Sequence, residues 1–250
     1  MTDRRTVRLI IKRQDNPESS PRWEEFDIPY RPNMNIIICL MEIRKKPLTR
    51  EGKQTTPIVW DSNCLEHVCG ACSMIINDQA RQACSTLVDK LEQPITIAPM
   101  TKFPLVRDLR VDRSRLFNDL KRAHAWIPID GTYNLGAGPR LDAETQEIRY
   151  KLSTCMSCGV CMEACPQYNN KTKFVGPAVI NQVRLMNLHP TGAMHRHERL
   201  EAMMGEGGVQ DCGNAQNCVR ACPKGIPLTE SIADINRETT FYGLLGWLKR

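Results

Sequence analysis

No stretch of this sequence stays apolar for long enough to cross a membrane. The two richest runs, "IIICLM" (36–41) and "FYGLLGWL" (241–248), fall well short of the roughly 18 residues that a span requires. The N-terminus, "MTDRRTVRLIIKRQDN", lacks the apolar core followed by small residues that marks an export signal, so the chain is expected to face the cytosol. Also missing is any constellation of acids, bases or nucleophiles spaced for substrate chemistry. What remains is an ordinary globular composition, 41% hydrophobic and 25% charged over 250 residues, enough for one or two domains.

The absence with most consequence is a single cysteine. Residues 210–225, "QDCGNAQNCVRACPKG", keep the spacing C-x2-C-x2-C-x3-C-P, except that Ala215 stands where the second cysteine belongs. Upstream, "CMSCGVCMEACP" (155–166) has the complete run. Twelve cysteines are many for this length. In a reducing compartment they do not form a disulfide framework, and metal is the better use for them.

The first constellation is Cys64-x4-Cys69-x2-Cys72, followed by Cys84. This is the plant-type spacing of a [2Fe–2S] centre. Three thiolates so close in sequence must converge on one side of a tight loop. Gly70 and Ala71, with little or no side chain, let backbone N–H groups approach the sulfurs and help set the potential. Four cysteines also suit tetrahedral zinc, but zinc sites favour paired C-x2-C knuckles over a three-cysteine loop with one remote member. His67 lies inside the loop as a partner-facing or proton-sensitive neighbour. Four cysteines already fill the site, which argues against a Rieske-type role for it.

In the second constellation, Cys155, Cys158, Cys161 and Cys165-Pro166 form the bacterial-ferredoxin run, whose fourth cysteine serves the other cluster. Cys155, Cys158 and Cys161 therefore take three corners of a [4Fe–4S] cubane and Cys222 the fourth. The other cluster receives Cys165, Cys212 and Cys218 and stops at three, because the methyl group of Ala215 has no lone pair. A cubane with an uncoordinated corner tends to lose that iron and become [3Fe–4S]. The alternative is a [4Fe–4S] centre with water or substrate on the open iron. Two further clusters in the chain favour a relay. Eleven ligand thiolates, less the charge of three oxidised clusters, contribute roughly −6, which offsets the formal +6 and removes the case for nucleic acid. Cys39, among apolar neighbours, reads as core. His124, His189, His195 and His197 read as surface or satisfied histidines, despite the metal-like look of "HPTGAMHRHE".

Two textures divide the chain near residues 105–115. Strands are expected at "TVRLIIKR", "RWEEFDIPY", "TPIVWDS", "CSMIIN", "RQACSTLV" and "PITIAPM", with a helix at "NMNIIICLMEIRKK" capped by Asn33 or Asn35. Strand, strand, helix, strands is the order of a β-grasp sheet. Helices are expected at "RSRLFNDLKRAHAWI", "EIRYKLSTCM", "PAVINQVRLMN", "HRHERLEAMMGE" and "LTESIADINRETTFYGLLGWLKR". Breaks fall at "DGTYNLGAGP", "FVGP", "HPTG" and "GEGG". The fold class is thus α+β: a [2Fe–2S] ferredoxin-like β-grasp domain over 1–114, then an all-α bacterial-ferredoxin-like domain over 115–250. The terminal "FYGLLGWLKR" is expected to pack on its own domain; the alternative is that it rests on a membrane subunit or lipid surface.

The order of these motifs resembles the iron–sulfur subunits of succinate dehydrogenase and fumarate reductase, respiratory complex II, over nearly the whole chain. The resemblance rests on "CLEHVCGACSMIINDQARQAC", "CMSCGVCMEACPQYN", "FVGPAVINQVRLMNLHPTGA" and "CGNAQNCVRACPKGIPLTESI". It implies a flavoprotein partner with covalent FAD, electron flow through [2Fe–2S], [4Fe–4S] and [3Fe–4S] centres, and quinone at a membrane anchor on the cytoplasmic face of the plasma membrane. Many members have Arg and Gly at the positions of Leu65 and His67. Where ubiquinone-reducing members place a tryptophan and a histidine, this chain has Asn170 and Gly213, so the familiar ubiquinone pocket does not carry over; Leu65 and the "HPTGAM" and "GNAQNCVR" stretches resemble the branch associated with menaquinone. The competing readings are the same relay run in reverse as a quinol:fumarate reductase, the partner of another flavin dehydrogenase, and a zinc-filled adaptor.

Overall fold

The computed structural model of the chain describes residues 6–128 and 139–248, the last three of these by backbone alone. Its contacts divide into two units, Met1–Arg113 and Ser114–Arg250. The break expected at "DGTYNLGAGP" lies outside the described residues except for Pro139.

The first unit is built on a five-stranded mixed sheet of order β2-β1-β5-β3-β4. Strands β1 (Thr6–Arg13) and β2 (Arg22–Pro29) form an antiparallel hairpin, β5 (Ile95–Ala98) runs parallel to β1, and β3 (Ser73–Ile76) is antiparallel to both β5 and β4 (Gln79–Gln82). Alternation along β1 buries Val7, Leu9 and Ile11 completely against the core, which also takes Ile36, Cys39, Leu40 and Ile43 from helix α1 (Ile36–Lys45). Asn35 caps this helix, its Oδ1 accepting from Ile38 N at 2.9 Å, while Arg44 and Lys45 occupy the last turn. Asn77 and Asp78, at φ 45 and 60, make the tight β3–β4 turn.

The inward series on β1 ends with Arg13, a charge with no exposure at all. It persists because every donor is met. Nε and Nη2 reach Asp108 at 2.9 and 3.3 Å, Nη1 reaches Glu24 at 2.6 Å, and Nη2 also donates to the Thr56 carbonyl. Asp108, equally buried, accepts in addition from Gln14 N and Val59 N. This explains one departure from expectation. "TPIVWDS" is not a strand: Pro57 has no N–H, and Val59 bonds to the Asp108 side chain and to Leu109 N instead of a neighbouring strand. "RQACSTLV" is strand only as far as Gln82, then a turn and a 3-10 turn at Val88–Lys90. A small hairpin, β6 (Leu105–Arg107) with β7 (Arg110–Val111), was not foreseen.

Among its described residues the second unit is helical. It comprises α2 (Ser114–Arg122), α3 (Ala143–Ser153), α4 (Val160–Glu163), α5 (Pro177–Asn187), α6 (Pro190–Ala193), α7 (Arg196–Met204), α8 (Asn217–Ala221) and α9 (Leu228–Leu248). Helix α5 is the hub and is buried on nearly every side. Asn181 donates to the Leu152 carbonyl of α3, and Arg184 pairs with Asp234 of α9 at 2.6 Å. Its entry at Gly176 has φ +88, and a Cβ there would lie 2.9 Å from Met162 and 3.2 Å from Tyr168. The helix start therefore seats directly on α4. Helix α3 stops at Ser153, short of Cys155, and "HPTG" forms α6, where His189 Nδ1 accepts from Thr191 N and Gly192 N. No helix among the described residues is long and apolar enough to cross a membrane. Residues 249 and 250, part of the terminal segment singled out above, lie outside the described residues.

Candidate metal centres

In the first unit the loop 64–72 leaves the segment anchored by Asp108 and ends at β3. Leu65 and His67 both adopt φ 60, in the left-handed region. For residues carrying a Cβ that costs about 1 kcal/mol or more apiece. The gain is that backbone N–H groups turn inward. Glu66 N and Val68 N each donate to Cys64 Sγ at 3.4 Å, and Ala71 N donates to Cys69 Sγ at 3.4 Å. Donation from Glu66 and then Val68 lowers the Cys64 thiol to about 7. Cys72 and Cys84, at 3% and 7% exposure, meet from β3 and the turn after β4, and burial pushes Cys72 up to about 12. The four sulfurs thus form two neighbouring pairs, Cys64 with Cys69 and Cys72 with Cys84. That suits two irons, each taking two thiolates. Gly70, at φ +70, closes the loop.

In the second unit two cavities carry the chemistry. One is lined by Cys155, Cys158, Cys161 and Cys222. The other is lined by Cys165, Cys212 and Cys218, with Ala215 among its walls. Each run thus sends its last cysteine to the other cavity.

The two ligand loops share one backbone pattern. Ser157 and Gly159 flank Cys158 at φ 49 and 82, and Asn214 and Gln216 flank Ala215 at φ 51 and 58. A short helix follows each, α4 after the first and α8 after the second. Ala215 therefore occupies the backbone position of Cys158, and only the sulfur is missing.

The arrangement fits clusters on its own geometry. Among the described residues no three His, Cys, Asp or Glu side chains converge tightly enough to hold a single ion. The cysteines instead ring a space, as a multi-iron cubane requires. Cys161 is buried among Cys158, Cys155 and Cys222, and burial followed by those neighbouring thiols raises it well above the ordinary range. A thiolate there would need a positive charge beside it, which a metal would supply.

Other residues flagged in the sequence do not join a site. Cys39 is fully buried in the core, where burial pushes its thiol up to about 12. His124, His195 and His197 lie 3.5–3.9 Å from Glu198 on the surface of their unit. Asn170 and Gly213, both exposed, lie near the second cavity's cysteines in sequence, and Gly213 lies in that cavity's wall beside the Gln167 side chain. Sequence reasoning missed Gln82 and Ser73, buried polar residues behind the first loop. Their side-chain pairing has no spacing signature.

A β-grasp unit with a three-cysteine loop and one remote cysteine, followed by a helical unit whose two cysteine runs cross, defines a ferredoxin-type electron carrier with several centres. Comparison with known proteins gives the same class. Residues 8–118 match the family model of a 2Fe-2S iron-sulfur cluster binding domain, and residues 151–226 that of a 4Fe-4S dicluster domain. The chain is 62% identical over 239 residues to the succinate dehydrogenase iron-sulfur subunit of Bacillus subtilis, covering 96% of this chain and 94% of that one. It is 29% identical over 236 residues to the fumarate reductase iron-sulfur subunit of Wolinella succinogenes, covering 93% and 96%. The fold matches a chain of the Mycobacterium smegmatis Sdh1 complex in the apo form with a TM-score of 0.79 at 20% identity, over 95% and 96% of the two chains. The chain belongs to the family of iron–sulfur subunits of succinate dehydrogenase and fumarate reductase, and it serves that enzyme as its electron relay.

Proposed function

We propose that the relay is built from three centres. Cys64, Cys69, Cys72 and Cys84 hold a [2Fe–2S] cluster within residues 1–114. Cys155, Cys158, Cys161 and Cys222 hold a [4Fe–4S] cluster, and Cys165, Cys212 and Cys218 a [3Fe–4S] cluster, within residues 115–250. The observation that carries this reading is the sorting of cysteines from both runs into two cavities, four round one and three plus Ala215 round the other. When bound, such clusters take up and release single electrons at potentials set by cluster type, hydrogen bonding and exposure.

The chain's own residues supply rigidity and insulation. Backbone N–H groups aimed at Cys64, Cys69 and, from Ile226 at 3.4 Å, Cys222 stabilise negative charge on sulfur. Ala178, Ile226 and Leu228 give the four-cysteine cavity a largely apolar lining. Ala215, in the wall of the three-cysteine cavity, is exposed on this chain.

An FAD-containing flavoprotein subunit delivers electrons from succinate, and a membrane anchor subunit on the cytoplasmic face accepts them on quinone, with menaquinone favoured by the resemblance at Leu65 and the "HPTGAM" and "GNAQNCVR" stretches. That the relatives are subunits of succinate dehydrogenase and of fumarate reductase supports the partners. A tag on this chain, followed through mild detergent, tests the reading. A flavin-containing chain should co-purify, and succinate should bleach the clusters' visible absorbance. Recovery of the chain without flavin sinks the partner assignment.

A further inference from the structure

We propose that His67, Gln82 and Ser73 form a hydrogen-bonded strut that positions the 64–72 loop and thereby sets the potential of the centre it holds; the proposal rests on the [2Fe–2S] reading of that loop. The strut begins and ends on the loop. His67 Nε2 lies 3.1 Å from Gln82 Oε1, Gln82 Nε2 donates to Ser73 Oγ at 3.0 Å, and Ser73 Oγ donates to the Gly70 carbonyl at 3.0 Å. Gln82 and Ser73 face each other directly across the β4–β3 ladder and are 2% and 5% exposed. The strut is therefore anchored in the sheet, away from solvent.

Its direction is fixed by elementary accounting. The Gly70 carbonyl only accepts, so Ser73 Oγ spends its one proton there and must accept from Gln82. Gln82 therefore presents its amide N–H to Ser73 and its oxygen to His67. His67 must then carry a proton on Nε2. Every link is a donor meeting an acceptor, with no freedom to reverse.

Two further bonds stiffen the frame. Arg113 Nη1 donates to the same Gly70 carbonyl at 2.8 Å, and Thr86 Oγ1 donates to the Gln82 carbonyl at 2.8 Å, two residues before Cys84. What the strut holds is the strained part of the loop. His67 sits at φ 60, between Glu66 and Val68, the two residues whose N–H groups donate to Cys64 Sγ. The tie to Gln82 opposes relaxation of that φ. Relaxation turns those N–H groups away from sulfur. Such donation stabilises the more negative, reduced centre, so its loss lowers the potential. His67 and Gln82 are thus positioning residues that act through the backbone of the loop.

The test is a redox titration of the purified complex, with the [2Fe–2S] centre followed by its electron paramagnetic resonance signal on reduction. His67→Phe keeps the ring and loses the donor. It should lower the one-electron reduction equilibrium constant at least tenfold, about 59 mV, and alter the g-values while cluster content stays normal. His67→Gln, which offers an amide N–H to Gln82, should restore most of the shift. Gln82→Met should reproduce the His67→Phe shift, and combining the two should add little. Unmoved potentials in His67→Phe and Gln82→Met overturn the strut. If His67→Phe fails to assemble a cluster, Gln82→Met decides alone: a lowered potential supports the strut and a wild-type potential overturns it. The wild-type protein reports on the underlying reading separately, since absence of any [2Fe–2S] signal in it would remove that reading and the strut together.

Discussion

Replacing Asp108 with alanine would leave the Arg13 guanidinium buried and without its main counter-charge. Both side chains are 0% exposed, and the substitution removes the bonds at 2.9 and 3.3 Å as well as the acceptor for Gln14 N and Val59 N. Breaking a buried pair from one side costs about 3–5 kcal/mol. At roughly 4 °C per kcal/mol for a domain of this size, the unit's melting temperature should fall by about 12–20 °C. Asp15–Arg22 is the control. Its 2.8 Å contact is as short, but the side chains are 45% and 40% exposed, and removing Asp15 should cost no more than about 1 kcal/mol. A second arm, Arg13→Met with Asp108→Leu, should recover much of the loss by removing both charges. Scanning calorimetry of the full chain reads all of these. Because Asp108 anchors Val59, five residues before Cys64, Asp108→Ala should also lower [2Fe–2S] content. If Asp108→Ala melts within about 3 °C of the parent, the buried pair does not hold this unit together as argued.

Three further outcomes follow from the same geometry. Ala215→Cys places a thiol at the backbone position equivalent to Cys158; iron analysis should show one more iron per chain, and the oxidised three-iron signal should vanish. Cys222→Ser should damage the centre held by Cys155, Cys158 and Cys161 and leave the one beside its own run, so surviving [3Fe–4S] signal with lost [4Fe–4S] is the expected pattern. Cys39, its thiol pushed up to about 12 by burial, stays protonated across the neutral range and is no nucleophile; mass spectrometry after native alkylation at pH 8 should find it unmodified, and rapid labelling would contradict its place in the core.

The grouping of cysteines round each cavity was legible in the sequence because each run encodes its own loop, and because the crossing of each run's last cysteine follows a spacing that a repeated backbone pattern preserves. Ala215 stood out for the same reason. The β1–β2 hairpin, the Asn35 cap and the bounds of α5 follow from alternation, capping chemistry and a Pro at the helix start. Other features depended on partners remote in sequence. "TPIVWDS" has strand composition, yet its backbone bonds are taken by Asp108 and Leu109, some fifty residues away. Arg13 reads as the end of a surface strand until Asp108 is placed beside it. Gln82 reads as an exposed polar residue near a turn, and only the β3–β4 register puts it opposite Ser73 and under His67.

The most direct test of the three-centre account is an electron paramagnetic resonance spectrum of the air-oxidised protein before any reductant is added. Oxidised [2Fe–2S] and [4Fe–4S] centres are silent in that state, whereas an oxidised [3Fe–4S] centre gives a sharp signal. The account predicts a signal close to one per chain that disappears when succinate is added to the complex. Silence with iron and sulfide present would contradict it, and would mean that the corner beside Ala215 holds a fourth iron.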